Sequence, residues 1–360
     1  MRIGFDVTAL GAPYSGVGTY TSNLFDHLRR FPHDEIVPVA QAWAGVPDTS
    51  FRLNKTVWMQ TVLPLQLSRA GIDVCHFTNN VASWWTPCPS IVTIHDMTLW
   101  LFPNYHPHRR LLAMRPFLPI GARHAKAIIT VSNSAKRDVV RMLNVAEEKV
   151  HVVYEAPAPH FRPVPDRLQL EAVRKRYALP ETFVLSVGTI EPRKNLDRLI
   201  DAVQQLRPCV LVVVGNRGWR ASGVLRRIER LGLDGAVRLL GSVPAADLVC
   251  LYNLATVVAF PSFYEGFGLP VVEAMACGTP VVTSPKGSLV EIAGTAAELV
   301  DPTDVESIAA GLRRVLADPD RQAELRAAGL TRAAQFSWPE AAAQTRAVYT
   351  RVLGAGASFG

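Results

Sequence analysis

Cysteine is scarce in this sequence, and the cysteines present are not spaced as paired metal ligands. Their number is odd, and most of them fall in apolar stretches, as reduced core cysteines do. The five residues are Cys75, Cys88, Cys209, Cys250 and Cys277. This pattern favours the reducing environment of the cytoplasm.

Long hydrophobic runs are missing as well. No apolar run approaches the roughly 18 residues that a membrane-spanning helix needs. The sequence opens directly into a strand-like stretch, M-R-I-G-F-D-V, without a signal peptide. We therefore expect a cytoplasmic protein.

Basic tracts with interleaved aromatic residues, which are typical of nucleic-acid-binding proteins, are also absent. The formal net charge is +7, but most of the surplus comes from scattered arginines. A nucleoside diphosphate or an anionic membrane suits this charge better than a nucleic acid does.

Chain length and strand pattern predict two α/β domains. A chain of 360 residues exceeds what one hydrophobic core usually serves. Strand-like runs alternate with helical stretches in both halves, which favours parallel, doubly wound sheets. Between the halves, residues 154–166 contain four prolines, which suit a linker. We predict an N-terminal domain over 1–160, with the linker at about 155–166, and a C-terminal domain over 167–338.

The stretch from Val258 to Ser284 carries the strongest functional signal. An apolar run over 255–260 predicts a buried strand, which Pro261 ends, and residues 262–269 predict a loop containing glycine. A helix then begins at Pro270, and the next strand covers 279–283. The loop therefore lies at a strand's carboxyl end, where open α/β sheets bind ligands.

Two glutamates in this stretch, Glu265 and Glu273, have no Lys or Arg near them in sequence. Buried carboxylates need partners, so these must come from elsewhere in the chain or from a ligand such as a sugar or ribose hydroxyl. The alternative is that Glu265 caps the helix and that Glu273 is solvated.

A second motif, V-G-T-I-E-P-R-K-N-L, places Gly188 at the end of a strand and Arg193 and Lys194 at the start of a helix. Exposed N–H groups and the helix dipole already favour an anion there, so cations at this position suggest a negative ligand. The alternative is a surface ion pair with Glu191.

The N-terminal half offers two further candidates. Gly16 and Gly18 are predicted to lie between the first strand and a helix over 20–28, where a flexible backbone can approach an anion or form a simple tight turn. His95 follows the strand over 91–94, so it is either a structural histidine or a residue of a binding site. Asp96 would orient the His95 ring or cap a turn.

Glu265 and Glu273, with G-F-G-L-P between them and A-M-A-C-G-T-P-V-V behind, closely resemble the donor-site signature of retaining GT-B glycosyltransferases, particularly family 4. The resemblance implies two doubly wound Rossmann-like domains that face each other across a cleft. It also implies that the last helix, within 339–360, returns to the N-terminal domain. By the same resemblance, Glu265 lies by the donor sugar, Glu273 binds the ribose and His95 faces the sugar. The other implied donor-binding residues are Gly16, Gly18, Gly188, Arg193, Lys194, Gly241, Ser242, Val243, Gly266, Phe267, Gly268 and Leu269.

The sequence departs from the family pattern at one cation of the diphosphate site. In family 4 an arginine and a lysine five residues later clamp the diphosphate. Lys194 matches the lysine, whereas Thr189 stands where the arginine is expected, so Arg193 is the candidate to compensate. We predict catalytic roles for His95, Glu265, Arg193 and Lys194.

No D-x-D motif appears between the strands, so we predict side-chain cations instead of a metal ion and no cofactor. Retaining enzymes of this type are described as passing the acceptor proton to the leaving phosphate, so we name no protein base. The stretches T-I-H-D and G-T-I-E-P-R-K-N look like those of bacterial mannosyl- or rhamnosyltransferases of polysaccharide assembly. We therefore expect a retaining hexosyltransferase, with GDP-mannose as the first donor to test.

The expected acceptor is a saccharide or a lipid-linked saccharide. Residues 105–126 mix cations with large apolar side chains, which predicts a peripheral contact with the inner face of the membrane. The alternative is that these apolar residues face the core.

Two other functions remain open: a GT-B nucleotide-sugar epimerase, and a non-catalytic protein that binds sugar nucleotides. A dinucleotide-dependent oxidoreductase fits less well, because the stretch from Gly16 to Thr21 lacks the third glycine of G-x-G-x-x-G.

Overall fold

The structure, a computed structural model, describes residues 1–11, 15–40, 55–233 and 235–356. The chain forms two compact units. The first unit contains residues 1–103, 108–155 and 337–360, and the second contains residues 104–107 and 156–336.

The first unit is built on a six-stranded parallel sheet with the strand order β2-β1-β3-β4-β5-β6. Its strands are β1 (Arg2–Asp6), β2 (Glu35–Val39), β3 (Val74–Phe77), β4 (Ser90–Ile94), β5 (Ala127–Thr130) and β6 (Val150–Val152). The helices between them are α1 (Gly16–Leu28), α2 (Lys55–Arg69), α3 (Thr98–Leu101), α4 (His108–Met114), α5 (Phe117–His124) and α6 (Asn133–Leu143). The central strands are buried along their whole length, because helices cover both faces of a parallel sheet.

Helix α1 begins earlier than the sequence predicts. Gly16 and Gly18 lie in its first turn, not in a loop before it. Ser15 is the N-cap, and its hydroxyl accepts a hydrogen bond from the Gly18 amide at 3.0 Å. The helix therefore begins with these two glycines, about one turn before its amphipathic part at residues 20–28.

The second unit repeats this architecture with the strand order β12-β11-β10-β7-β8-β9. Its strands are β7 (Phe183–Val187), β8 (Val210–Val214), β9 (Val237–Gly241), β10 (Val257–Phe260), β11 (Val281–Thr283) and β12 (Glu298–Leu299). Its helices are α7 (Arg167–Arg176), α8 (Leu196–Gln204), α9 (Ala221–Arg230), α10 (Ala245–Leu254), α11 (Leu269–Ala276), α12 (Leu289–Ala293), α13 (Val305–Ala317) and α14 (Pro319–Ala333).

The last helix, α15 (Trp338–Gly356), belongs to the first unit and packs against α1. A buried hydrogen-bonded chain ties it to the sheet. Tyr349 Oη lies 2.6 Å from His76 Nδ1, and His76 Nε2 lies 2.7 Å from Thr93 Oγ1. Burial, with a smaller contribution from the charge of His95, lowers the pKa of His76 to about 3, so this ring is neutral.

Among the helices of the described residues, none combines the length and the apolar character that crossing a bilayer requires.

Candidate functional site

The predicted donor-site residues of the second unit lie at the carboxyl ends of its parallel strands. Gly188 follows β7 directly, and Gly215 follows β8. Gly215 has φ +150°, and a Cβ there would lie 2.0 Å from the carbonyl oxygen of Gly188. The two loops therefore approach each other more closely than a side chain allows, so glycine is required at this position.

Glu265 is buried, at 7% exposure, and a cation contacts each of its carboxylate oxygens. Lys194 Nζ donates to Oε1 at 2.7 Å, and Arg193 Nη1 donates to Oε2 at 2.5 Å. Burial alone would raise the pKa of Glu265, but the charges of Arg193 and Lys194 outweigh burial and lower it to about 2. At neutral pH the carboxylate is therefore ionised and paired.

Arg193 and Lys194 have further contacts that fix their positions. Arg193 Nη1 also donates to the carbonyl oxygen of Tyr264 at 2.8 Å, and Nη2 donates to Glu191 at 2.7 Å. Lys194 Nζ lies 4.6 Å from the centre of the Phe260 ring. Burial lowers the pKa of Lys194, although the charge of Glu265 opposes this effect. The pair with Glu191, which was the alternative to a negative ligand, therefore forms, but the same arginine also holds Glu265.

Asn195 links the motif that carries Arg193 and Lys194 to the motif that carries Glu265. It adopts a left-handed conformation, with φ 61°, between a short 3-10 turn over 192–194 and α8. Its buried side-chain amide donates to the carbonyl oxygens of Pro261, at 3.0 Å, and Pro302, at 2.7 Å. Asn195 therefore fastens the turn that carries Arg193 and Lys194 to the end of β10.

The loop that carries Glu265 is held from its other side by Gly287 and Ser288. Ser288 Oγ lies 3.0 Å from the carbonyl oxygen of Glu265 and 2.7 Å from that of Phe267. A Cβ on Gly287, whose φ is +61°, would lie 2.9 Å from the same Glu265 carbonyl. This loop therefore has backbone supports that sequence reasoning missed.

Glu273 is also buried, at 8% exposure, so the alternative of a solvated side chain is wrong. It lies on α11 and accepts a hydrogen bond of 2.8 Å from the hydroxyl of Tyr252 on α10. Burial, followed by the charge of Glu273, raises the pKa of Tyr252 well above its usual value. Gly268, and not Glu265, is the N-cap residue of α11.

The remaining candidates of the second unit lie in the loops around these glutamates. Residues Gly266, Phe267 and Gly268 connect Glu265 to α11, and Leu269 is the first residue of that helix. Gly241 ends β9, and Ser242 Oγ donates to Asn216 Oδ1 at 2.6 Å. Val243 is buried in the core cluster beneath.

His95 lies in the first unit, with hydrogen-bond acceptors at both ring nitrogens. Nε2 lies 2.9 Å from the carbonyl oxygen of Thr78, and Nδ1 lies 3.2 Å from Oε1 of Glu155. A ring that donates to both is an imidazolium. Burial alone would lower the pKa of His95, but Glu155 and the Thr78 carbonyl outweigh burial and raise it. Both contacts therefore favour the charged form of His95.

The sequence did not point to Glu155 as a partner of His95, because Glu155 lies in the proline-rich stretch, 60 residues beyond His95. Two roles were expected for Asp96: orienting the His95 ring or capping a turn. The structure shows the turn cap. Asp96 Oδ1 accepts hydrogen bonds from the amide and hydroxyl of Thr98, at 2.9 and 2.6 Å. Asp96 therefore caps the turn that begins α3.

Comparison with known proteins decides the family. The model described as Glycosyltransferase Family 4 matches residues 14–156, and that described as Glycosyl transferases group 1 matches residues 171–332. The O-antigen chain mannosyltransferase B of Escherichia coli is 36% identical over 265 residues, which cover 72% of this chain and 70% of that protein. The chain belongs to glycosyltransferase family 4.

Solved structures support the fold assignment. Sucrose-phosphate synthase from Thermosynechococcus elongatus has a TM-score of 0.78 at 22% identity, and the match covers 99% of this chain and 100% of that chain. The Anabaena protein HepE, in complex with UDP and glucose, has a TM-score of 0.76 at 20% identity and covers 98% and 100%. Together with the two six-stranded parallel sheets, these likenesses confirm the predicted GT-B fold class. As a family 4 member, the chain is a glycosyltransferase of glycan biosynthesis.

Within the part of the chain that the structure describes, no group of three or more His, Cys, Asp or Glu residues is placed to hold a metal ion. The sequence D-P-D at residues 318–320 does not form a metal site of this kind, because Asp318 caps α14 by accepting hydrogen bonds from the amides of Asp320 and Arg321. Metal independence stays a prediction.

Substitution of Lys194 by Met should lower the free energy of unfolding by about 3 kcal/mol, because it removes one cation from a buried carboxylate. The double variant Lys194→Met/Glu265→Gln should regain much of that loss, because the uncompensated charge is then gone. Urea unfolding of the wild type, both single variants and the double variant measures this coupling.

The pair between Arg314, whose side chain is half exposed, and Glu298, which Arg321 also contacts, supplies the control. Arg314→Met should cost no more than about 1 kcal/mol, as is usual for a surface pair. Additive effects at Lys194 and Glu265 would contradict the buried network.

Proposed function

We propose that this enzyme transfers mannose from GDP-mannose to a saccharide acceptor, with retention of the anomeric configuration and without a metal ion. The observation that carries the proposal is the pairing of buried Glu265 with Arg193 and Lys194 at the carboxyl ends of parallel strands. The 36% identity to a mannosyltransferase supports the choice of sugar.

The proposal assigns the diphosphate to Lys194 and Arg193. An ammonium group has three donors, and one of those of Lys194 is directed to Glu265. The others can bind phosphate oxygens without breaking that pair. These cations lie at the carboxyl ends of the strands. They would therefore stabilise the negative charge that develops on the leaving diphosphate.

In the proposed reaction the bond between the anomeric carbon and the diphosphate oxygen breaks, and its electron pair leaves with the diphosphate. The acceptor oxygen bonds to the same face of the anomeric carbon, and its proton passes to the leaving phosphate oxygen. Glu265, ionised because its pKa is about 2, would accept hydrogen bonds from the sugar hydroxyls. Glu273 would do the same for the ribose.

Transfer from GDP-α-mannose to a mannose oligosaccharide should proceed in excess EDTA and give an α-linked product. NMR of the anomeric proton of the product measures this outcome. Lys194→Met should lower the transfer rate by about 100-fold or more, as loss of a group that stabilises developing charge does. The control variant Arg314→Met should leave the rate unchanged.

A β-linked product would contradict retention. Activity that is lost in EDTA and restored by Mg²⁺ or Mn²⁺ would contradict metal independence. Transfer from UDP-, dTDP- or ADP-linked sugars in preference to GDP-mannose would overturn the choice of donor.

We also propose that the first unit contacts an anionic membrane, which suits a lipid-linked acceptor. Charge is the first support. Between residues 49 and 137 the sequence has ten basic residues against two acidic ones, Asp73 and Asp96. The basic residues are Arg52, Lys55, Arg69, Arg109, Arg110, Arg115, Arg123, Lys126, Lys136 and Arg137. The structure does not describe the side chains of Arg109 and Arg110, so these two residues count here by sequence alone.

The second support is an exposed apolar surface within the same range. Gln60 on α2 accepts a hydrogen bond of 2.8 Å from the amide of Trp84, and the Trp84 ring stacks on Phe117 of α5 at 5.1 Å. These contacts join α2, the turn at 84–85 and α5. The exposed large apolar residues of this range are Val57, Leu65, Trp84, Trp85, Leu112 and Ile120. Apolar side chains beside cations are typical of surfaces that lie on anionic lipid.

The structure also bears on the alternative that residues 105–126 simply face the core. Leu118 and Ala122 are buried, as that alternative expects, but Leu112 is 77% exposed. The helical part of this segment is divided into α4 and α5, because Pro116 lacks an amide hydrogen for a continuous helix. Only part of this segment therefore serves the core.

The double variant Trp85→Ser/Leu112→Ser should weaken binding to phosphatidylglycerol vesicles by about tenfold, through loss of buried apolar area. Its control is Leu168→Ser, because Leu168 is equally exposed, at 82%, but lies on α7 of the second unit. Co-sedimentation at rising salt measures both effects, since salt screens the cations. Equal vesicle binding by the wild type, the double variant and Leu168→Ser would overturn the membrane proposal and favour a soluble acceptor.

A further inference from the structure

A groove of about 470 Å³ lies on the first unit, and none of the candidate donor-site residues lines it. It is bounded by the start of α6, the edge strand β6 and the middle of α15. Pockets that bind small molecules typically have volumes of about 300–1,000 Å³. Neither the family resemblance nor the proposed transfer reaction uses this groove.

Three basic side chains from three different elements line the groove: Lys136 on α6, His151 on β6 and Arg351 on α15. Lys136 pairs with Glu147 at 3.3 Å, and Glu147 is largely exposed. The His151 ring and the Arg351 guanidinium have no hydrogen bond or ion pair with any residue that the structure describes. The groove therefore has a surplus of positive charge.

Electrostatics supports the convergence of these three groups. Burial, then the charges of Arg351 and Lys136, lowers the pKa of His151. Like charges lower the pKa of a histidine only when they lie close to it. An anion between the three groups would remove this repulsion, and it would favour the charged form of His151.

The rest of the lining is apolar with two amides. Val150 and Val153 are buried at the base, and Ala347 and Val348 lie on the α15 side. Asn133 and Gln344 add amide groups at the rim. Such a lining fits an organic molecule that carries a phosphate group, since the cations match the phosphate and the valines match the organic part.

We infer that this groove is a second ligand site, distinct from the donor site, for a soluble phosphomonoester or diphosphate compound. A dianion is compensated better than a monoanion by Lys136, Arg351 and the protonated form of His151, which favours phosphate over a single carboxylate. The bound anion should raise the pKa of His151, because it stabilises the protonated ring. Glu147 opposes binding through Lys136, and Arg351 and Lys136 promote it.

Inorganic pyrophosphate is the probe, and the His151 ring signals in ¹H–¹⁵N NMR spectra report on this groove alone. Titration of the full chain at pH 6.5 should shift these signals with saturation, and bound pyrophosphate should raise the pH at which the His151 ring takes up its proton. Arg351→Ser should weaken binding about tenfold, as expected for loss of one charge-assisted hydrogen bond. Arg141→Ser, on α6 but outside the lining, makes the same change in net charge and should leave binding unchanged.

Binding at the groove must be distinguished from binding at the donor site, because pyrophosphate is expected to bind to the donor site as well. Lys194→Met should leave the His151 titration unaltered, so failure of the donor assignment would not affect this result. Absence of any His151 shift at 10-fold the concentration that saturates the donor site would overturn the inference. Loss of phosphatidylglycerol vesicle binding in Arg351→Ser, without a pyrophosphate effect, would replace the soluble ligand by a lipid headgroup.

Discussion

The interaction on which the second unit's site depends is the pairing of one buried carboxylate with two cations. Glu265 alone would be too costly to ionise at 7% exposure, and Arg193 and Lys194 alone would repel each other. Together they hold the loop after β10 against the turn after β7. Asn195 and Ser288 then support this pairing through backbone carbonyls, so the charged groups stay in place before any ligand arrives.

Two histidines of the first unit illustrate the same principle with opposite results. His76 contacts the neutral hydroxyls of Tyr349 and Thr93, and burial leaves it uncharged. His95 contacts a carboxylate and a carbonyl oxygen, which raise its pKa against burial. The charge of each ring therefore follows from its partners. The sugar-facing role of His95 stays a prediction.

Much of the fold could be predicted from the sequence, because buried parallel strands form continuous apolar runs. The strands predicted over 91–94 and 279–283 are observed as Ser90–Ile94 and Val281–Thr283. Contacts between distant residues could not be predicted in this way. Glu155 reaches His95 across 60 residues, and Arg193 reaches Glu265 across 72. The sequence pattern placed His95 after a strand, Glu265 in a loop at a strand's end and Arg193 at the start of a helix. Which residues they pair with depends on tertiary geometry.

The central claim is that Glu265 and Glu273 have different tasks in one donor site. Calorimetric titration with GDP tests it most directly, using Glu265→Gln and Glu273→Gln. Glu273→Gln should lower GDP affinity about tenfold through loss of a charged hydrogen-bond acceptor. Glu265→Gln should keep or raise that affinity, because it releases Arg193 and Lys194 for the diphosphate. Equal losses of GDP affinity in the two variants would contradict the account.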